Sequence, residues 1–275
     1  MSARAKQGSV PLERLLTVGV RAARAGGAIQ MRSLGRLGKG QTRRKGASDW
    51  VTVVDHASEK KIISIIRSAF PDHDILGEES GETLSGSDYR WIIDPLDGTV
   101  NFMHQFPMFC VSIGVTRRGV LVAGVIYDPL REELFTALKG RGARLNGRPI
   151  RVSRHGAFQE ALLATGFPFR AKRLPGGYMQ SFRAFFLRTG SIRRAGSAAL
   201  DLAYTACGRL DGFWEMALKP WDMAAGALLI QEAGGRVTDF FGGPDFLENG
   251  LITAANRPLQ KRMVGVLKPI FKGRV

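Results

Sequence analysis

Four β-rich, apolar segments follow one another at residues 89–93, 109–116, 120–127 and 133–138. Turn-forming pairs such as Arg118-Gly119 and Asp128-Pro129 separate the last three. Strands joined by such short turns pair antiparallel, because a parallel return needs a crossover of roughly a dozen residues. The region therefore reads as an antiparallel meander, with Gly140-Arg141-Gly142 as a further hairpin turn. No Gly-Lys-Ser/Thr follows those glycines, so they do not form a nucleotide loop. Past residue 155 the pattern changes. Strand-like stretches at 161–165, 213–216 and 236–239 alternate with helix-like stretches at 178–188, 197–207 and 223–233. That alternation signals an α/β arrangement. Two halves are predicted: an N-terminal α+β half, residues 1–152, with the antiparallel sheet and most candidate metal ligands, and a C-terminal α/β half, residues 153–275.

The meander is preceded by two helices. Leu12, Leu15, Leu16, Ala22, Ala23 and Ile29 recur near helical spacing over residues 12–31, with Pro11 suited to the first helical position. A second helix is expected from about residue 55 to 70, with Ile62, Ile63, Ile65, Ile66 and Ala69 on one side. Residues 33–48, rich in Gly, Arg and Lys, read as an exposed, mobile loop.

The chain carries 40 Lys/Arg against 24 Asp/Glu, a formal net charge of +16. The excess lies at the ends. Residues 1–50 hold 11 basic and 2 acidic residues, and residues 251–275 hold 6 basic and no acidic ones. Between Glu160 and Asp201 there are seven further Lys/Arg and no acid. Such surfaces attract anions, from a small substrate to a nucleic acid or nucleoprotein. No apolar run is long enough to span a membrane, and residues 1–8 lack the apolar core of a secretory signal. A cytoplasmic protein is expected, with Cys110 and Cys207 as reduced thiols in apolar settings.

Chemistry-bearing residues concentrate in one class, the carboxylates. Asp94 and Asp97 follow the strand Trp91-Ile92-Ile93, and Pro95 is expected to break that strand, leaving both acids on a turn. Gly98-Thr99 then opens a short helix-like segment at 99–104, whose first amides suit an anion. Carboxylates beside such amides match Mg²⁺, which binds through one or two carboxylates together with substrate phosphate. Asp55, Glu78 and Asp222 complete the set of acids. Each has an ordinary alternative: Asp55 and Asp222 stand where helix caps are found, and Glu78-Glu79 would repel unless exposed or metal-bound. The four histidines, His56, His73, His104 and His155, show no zinc spacing. Two residues separate Asp94 from Asp97, against one in the Asp-x-Asp-Gly-Thr nucleophile motif of haloacid-dehalogenase phosphatases, which argues against a covalent route.

The motifs Gly77-Glu78-Glu79-Ser80, Trp91-Ile92-Ile93-Asp94-Pro95-Leu96-Asp97-Gly98-Thr99, Asn101-Phe102 and Trp221-Asp222-Met223-Ala224-Ala225-Gly226 resemble the inositol monophosphatase family, over roughly residues 12–265. Ala164-Thr165-Gly166-Phe167-Pro168-Phe169 and the run from Arg193 to Leu202 are similar to its bacterial extragenic-suppressor branch. Val100 and Ser197 depart from the common Thr, and neither removes a ligand.

The resemblance implies a layered sandwich of alternating α-β-α-β-α layers, shared with fructose-1,6-bisphosphatase. It implies hydrolysis of inositol 1-phosphate or a similar polyol phosphate by water activated by two or three Mg²⁺ ions. Glu78, Asp94, the Leu96 carbonyl, Asp97 and Asp222 would be the metal ligands. Glu78 and Thr99 would activate the water, and Asp55 would support a further, weaker metal. Glu78, Leu96, Asp97, Gly98, Thr99 and Asp222 would face the substrate, with the Gly98 and Thr99 amides on its phosphate. Gly196, Ser197, Ala198 and Glu215 would contact the inositol hydroxyls. It also implies a homodimer, lithium sensitivity, and an RNA polymerase or ribonucleoprotein partner. A nucleotide, fructose bisphosphate or histidinol phosphate stays open as substrate.

Overall fold

The computed structural model describes residues 10–46, 49–168 and 175–274. Part of the basic N-terminus, and residues 169–174 of the basic stretch before Asp201, therefore lie outside the described residues.

Helix α1 (Leu12–Ser33) buries Leu15, Val18, Ala22 and Ala23 along one face. Pro11 sits one position earlier than expected, as N-cap, because its ψ of 131° is extended. Strands β1 (Thr42–Gly46) and β2 (Asp49–Thr52) then form an antiparallel hairpin where a mobile loop was predicted. The hairpin is unreadable from hydrophobicity because β1 buries almost nothing. Pairing of Arg44 with Trp50 helps hold it, the guanidinium lying 5.9 Å from the ring centre. Helix α2 (Val53–Ala69) starts two residues before the expected point. Its N-cap is Thr52, whose hydroxyl accepts from the amides of Val54 and Asp55 while Asp55 accepts from the Thr52 amide.

The meander follows: β3 (Asp74–Gly77), β4 (Gly81–Thr83), β5 (Tyr89–Asp97), the short helix α3 (Thr99–Met103), β6 (Cys110–Arg117), β7 (Val120–Asp128), β8 (Glu133–Leu138), β9 (Gly142–Leu145) and β10 (Arg148–Pro149). They make one eight-stranded sheet in the order β10-β9-β8-β7-β6-β5-β3-β4. Every neighbour pair is antiparallel except β3 with β5.

The remaining elements are β11 (Leu162–Thr165), α4 (Pro175–Phe186), β12 (Ser191–Arg193), α5 (Ala198–Ala206), β13 (Gly212–Glu215), α6 (Pro220–Glu232), β14 (Arg236–Thr238), α7 (Phe246–Asn249), β15 (Ile252–Ala255) and α8 (Arg257–Phe271). Their strands form a five-stranded sheet, β12-β11-β13-β15-β14. The first three run parallel, and β15 runs antiparallel to β13 and β14.

Three apolar clusters stack these sheets into α-β-α-β-α layers. Leu15, Ala22, Ile62 and Ile66 of α1 and α2 cover one face of the large sheet at Trp91, Ile93 and Ile113. Ile92 and Phe135 on its other face meet α5 and α6, which also pack on Phe213, Ile252 and Ala254 of the small sheet. Tyr178 and Phe185 of α4, with Leu259, Met263 and Leu267 of α8, cover the outer face of the small sheet at Leu163 and Trp214. Alternation along β5 explains the split: Trp91 and Ile93 point one way and Ile92 the other.

Helix α6 is buried on all sides because it lies between two sheets. Its Ala-Ala-Gly run allows very close approach. A Cβ placed on Gly114 of β6 would stand 2.6 Å from the Cβ of Ala224. Among the described residues no helix is long and apolar enough to cross a membrane. Both cysteines are free thiols, Cys110 buried and Cys207 partly so.

Candidate active site

Asp94, Asp97 and Asp222 converge. One carboxylate oxygen from each lies within 4.8 Å of the others, and all three residues are buried. Strand geometry alone would forbid this for the first two. Three positions apart, their side chains would leave opposite faces of a regular strand. The pairing of β5 with β6 supplies the correction. Asp94 pairs with Ser112 and Asp97 with Cys110, so three steps on β5 match two on β6. This bulge brings both acids to the face that meets α5 and α6. The predicted break at Pro95 does not occur; β5 runs on to Asp97. Pro95 is tolerated because the bulge is a place where a missing N–H costs no ladder bond. Its carbonyl is held from behind by Gln30 Nε2 at 2.7 Å and Ser58 Oγ at 2.9 Å.

Each acid is tied to a different element. Asp94 Oδ1 accepts from the Leu96 amide at 2.9 Å. Asp97 Oδ2 accepts from Ser197 Oγ at 2.6 Å and from the Ala199 amide at 2.7 Å, so it caps α5 across the layers. Asp222 Oδ2 accepts from the Lys219 amide at 2.7 Å at the start of α6. It therefore serves as a cap and as a member of the cluster at once. The Asp94 carboxyl is pushed well above the usual range by burial, then by Glu78, Asp97 and Asp222.

Thr99 Oγ1 lies 3.0 Å from Asp55 Oδ1 and 3.1 Å from the Leu96 carbonyl oxygen. Asp55 is fully buried, with a pKa raised to about 6, chiefly by that burial. It is the third residue of α2, and its second oxygen takes the Thr52 amide and hydroxyl. Gly98 turns the chain between Asp97 and α3 at φ 95°, and a Cβ there would stand 2.7 Å from the Met108 carbonyl.

Glu78 lines the same cleft, which has a volume of about 660 Å³. The Glu78-Glu79 pair is stabilised in a way the sequence did not indicate. Lys45 of the β1 hairpin lies 2.5 Å from Glu79 and 3.7 Å from Glu78. Its only sequence signal was membership of a basic run. The same cleft is lined by Gly196, Ser197, Ala198 and Glu215. Glu215 is buried at the end of β13, and its carboxyl is raised well above the usual range by burial, then by Asp201 and Asp222. Ser197 does not offer a free hydroxyl, since it donates to Asp97. Trp50, Phe167 and Tyr178 also line the cleft, and they too escaped the reading of the sequence. Arg194 lies 5.1 Å over the Phe167 ring.

The donor set is all oxygen: three carboxylates in contact range, with the Leu96 carbonyl and Glu78 beside them in the cleft. Acids crowded so closely that Asp94 is held up by its neighbours are stabilised by a hard divalent cation, so the residues fit Mg²⁺.

Over residues 11–270 the sequence matches the profile of the inositol monophosphatase family. The chain belongs to that family. Members of the family are generally Mg²⁺-dependent phosphatases. A relative named Nus factor SuhB from Pseudomonas aeruginosa is 49% identical over 263 residues, covering 94% of this chain and 97% of that one. The crystal structure of the extragenic suppressor protein suhB from Bartonella henselae superposes with a TM-score of 0.88 at 44% identity, covering 92% of this chain and 98% of that one. The inositol monophosphatase from Anabaena (Nostoc) sp. PCC 7120 gives a TM-score of 0.85 at 42% identity, covering 94% and 96%. The layered fold of the family is thus the fold of this chain.

Proposed function

We propose that the protein hydrolyses inositol 1-phosphate, or a similar small polyol phosphate, to the alcohol and inorganic phosphate. The convergence of Asp94, Asp97 and Asp222 in a cleft also lined by Glu215 carries this reading. Glu78, Asp94, the Leu96 carbonyl, Asp97 and Asp222 would hold two to three Mg²⁺ ions. Bound there, the ions would supply charge neutralisation for the phosphate and acidify water. The chain's own groups do the rest. With its proton directed to Asp55, Thr99 Oγ1 presents lone pairs that accept from a water and orient it. Glu78 would receive a proton from that water, and the Gly98 and Thr99 amides at the start of α3 would hold phosphate oxygens. Asp97 couples the site to α5, fixing Gly196, Ser197 and Ala198 at the leaving-group end. Glu215 would accept hydrogen bonds from the polyol hydroxyls.

Phosphate release from inositol 1-phosphate, nucleoside monophosphates, fructose 1,6-bisphosphate and histidinol phosphate, with Mg²⁺ and with or without Li⁺, tests the reading. The highest kcat/KM is expected for inositol 1-phosphate, with inhibition by Li⁺. A higher value for another ester overturns the substrate, and no Mg²⁺-dependent release from any ester overturns the enzyme. Full activity in Asp97→Asn would refute the site, and a phosphoryl group trapped on Asp94 would favour a covalent route. A homodimer in the cytoplasm belongs to the same proposal, with sedimentation as its check.

A second reading rests on the relatives named Nus factor SuhB: the protein also binds the transcription machinery. Co-purification of RNA polymerase that persists in the Asp97→Asn variant is the expected result.

A further inference from the structure

Helix α8 ends the outermost layer and contributes nothing to the cleft. Leu259, Met263, Leu267, Ile270 and Phe271 anchor it on the small sheet. Its opposite face carries exposed Arg257, Lys261, Lys268 and Lys272. At about 100° per residue these four fall within roughly 60° of arc, and at 1.5 Å per residue they extend over about 22 Å. They form one straight row.

Several features set this row apart from the rest of the basic surface. Residues 251–275 contain no acid, and none of the four cations makes an ion pair among the described residues. Arg257 with Lys261, and Lys268 with Lys272, are like-charge pairs four residues apart, each destabilising by a few tenths of a kcal/mol. Arg257 also stands in the first turn, where the helix dipole disfavours a cation. Between the pairs lies Gly265, where a Cβ would meet nothing within 4 Å. The row is therefore low in relief and open to close approach.

We infer that the α8 row is a docking surface for the phosphate backbone of single-stranded RNA. Charge complementarity selects a polyanion. No large apolar side chain of α8 is exposed, so the helix has nothing to insert into a lipid surface or into the groove of a protein partner. Only one strip of the helix is uncovered, because the small sheet and α4 pack against the rest. A flexible strand can lay successive phosphates along such a strip without any of the protein having to move. RNA is the abundant single-stranded polyanion of a cell. The inference stands independently of both readings above.

The test is binding of a labelled, mixed-sequence RNA without terminal phosphate to the full chain, by fluorescence anisotropy over a salt series. The fourfold variant Arg257→Gln, Lys261→Gln, Lys268→Gln, Lys272→Gln should bind at least about tenfold more weakly at 0.1 M salt. Its slope of log K against log salt should be shallower by about 3, as four phosphate contacts on a single strand require. Phosphate ester hydrolysis and melting temperature should be unchanged, which shows that the fold is intact. A control with Arg43→Gln and Arg44→Gln in the β1 hairpin should keep most of the affinity. Wild-type affinity and slope in the fourfold variant would overturn the inference. So would tighter binding by the wild type to duplex DNA or to phosphatidylserine vesicles than to the RNA.

Discussion

Asp94 is a single side chain whose ionised form is held at a cost to stability. Its carboxyl is raised by burial and by three neighbouring acids, so its ionised form is disfavoured in the metal-free protein. Asp94→Asn should therefore melt higher than the parent in EDTA, while its kcat with Mg²⁺ falls by several orders of magnitude. Scanning calorimetry and phosphate release check the two halves, and a lower melting point in EDTA would contradict the repulsion argument. His73 is the opposite case, a purely structural group. Its ring lies between Phe70 and Tyr89 at 4.5 and 4.8 Å, and its Nδ1 accepts from Trp91 Nε1 at 3.0 Å. Burial holds its pKa at about 4, against 6.5 for the free side chain, with Asp72, Arg67, Asp74 and Arg14 as the charges around it. The unfolded chain takes up the proton first as pH falls. Stability is thus full above about pH 6.5 and declines toward pH 4, with a loss of about 2 kcal/mol between pH 7 and pH 5. His73→Gln keeps an acceptor for Trp91 but cannot titrate. Urea unfolding at the two pH values should show a smaller difference for the variant than for the parent.

At the scale of elements, α6 is the piece on which the site depends most. It carries Asp222 and lies against β6 closely enough that Gly114 has no room for a side chain beside Ala224. Gly114→Ala should cost about 1–3 kcal/mol by overpacking and should lower kcat as well, because any shift of α6 moves Asp222 away from Asp94 and Asp97. Adding Ala224→Gly should recover part of both losses, read as the urea midpoint and kcat. The hairpin β1–β2 and helix α5 are the other two supports. One brings Lys45 to the Glu78-Glu79 pair; the other places the Ala199 amide on Asp97. Neither link joins neighbours in the chain.

For the whole molecule, the consequence is that the candidate metal centre draws on β5 of the large sheet and on α6 of the middle layer together. An ion held there should stabilise the folded chain as a unit. At free Mg²⁺ about a hundredfold above its Kd the gain is about 2.7 kcal/mol, or about 5–10 °C in Tm for a chain of this size. Thermal melts with Mg²⁺ against EDTA measure it, and the shift should vanish in Asp94→Asn.

What the residues determined by themselves was whatever depends on short-range order. The meander at 89–138, the helical faces of α1 and α2, and the acidic motif with its Gly-Thr turn were all visible, because side-chain period and turn chemistry are local. The layer order was reached through family resemblance, and the structure has it. Features set by contact between distant segments were not visible. The bulge that turns Asp94 and Asp97 to one face depends on how β6 pairs with β5, and the sequence suggested a broken strand instead. The β1 hairpin looked like a loop because its residues are nearly all polar. Residues 251–275 registered only as charge, although they hold β15 and α8. Asp222 was equally readable as a helix cap or as a ligand, and with α6 packed between the sheets it caps the helix and joins the acidic cluster at once. Residue types prescribed the chemistry available; the convergence of three buried acids, at sequence separations of up to 128 residues, arises only when the layers close.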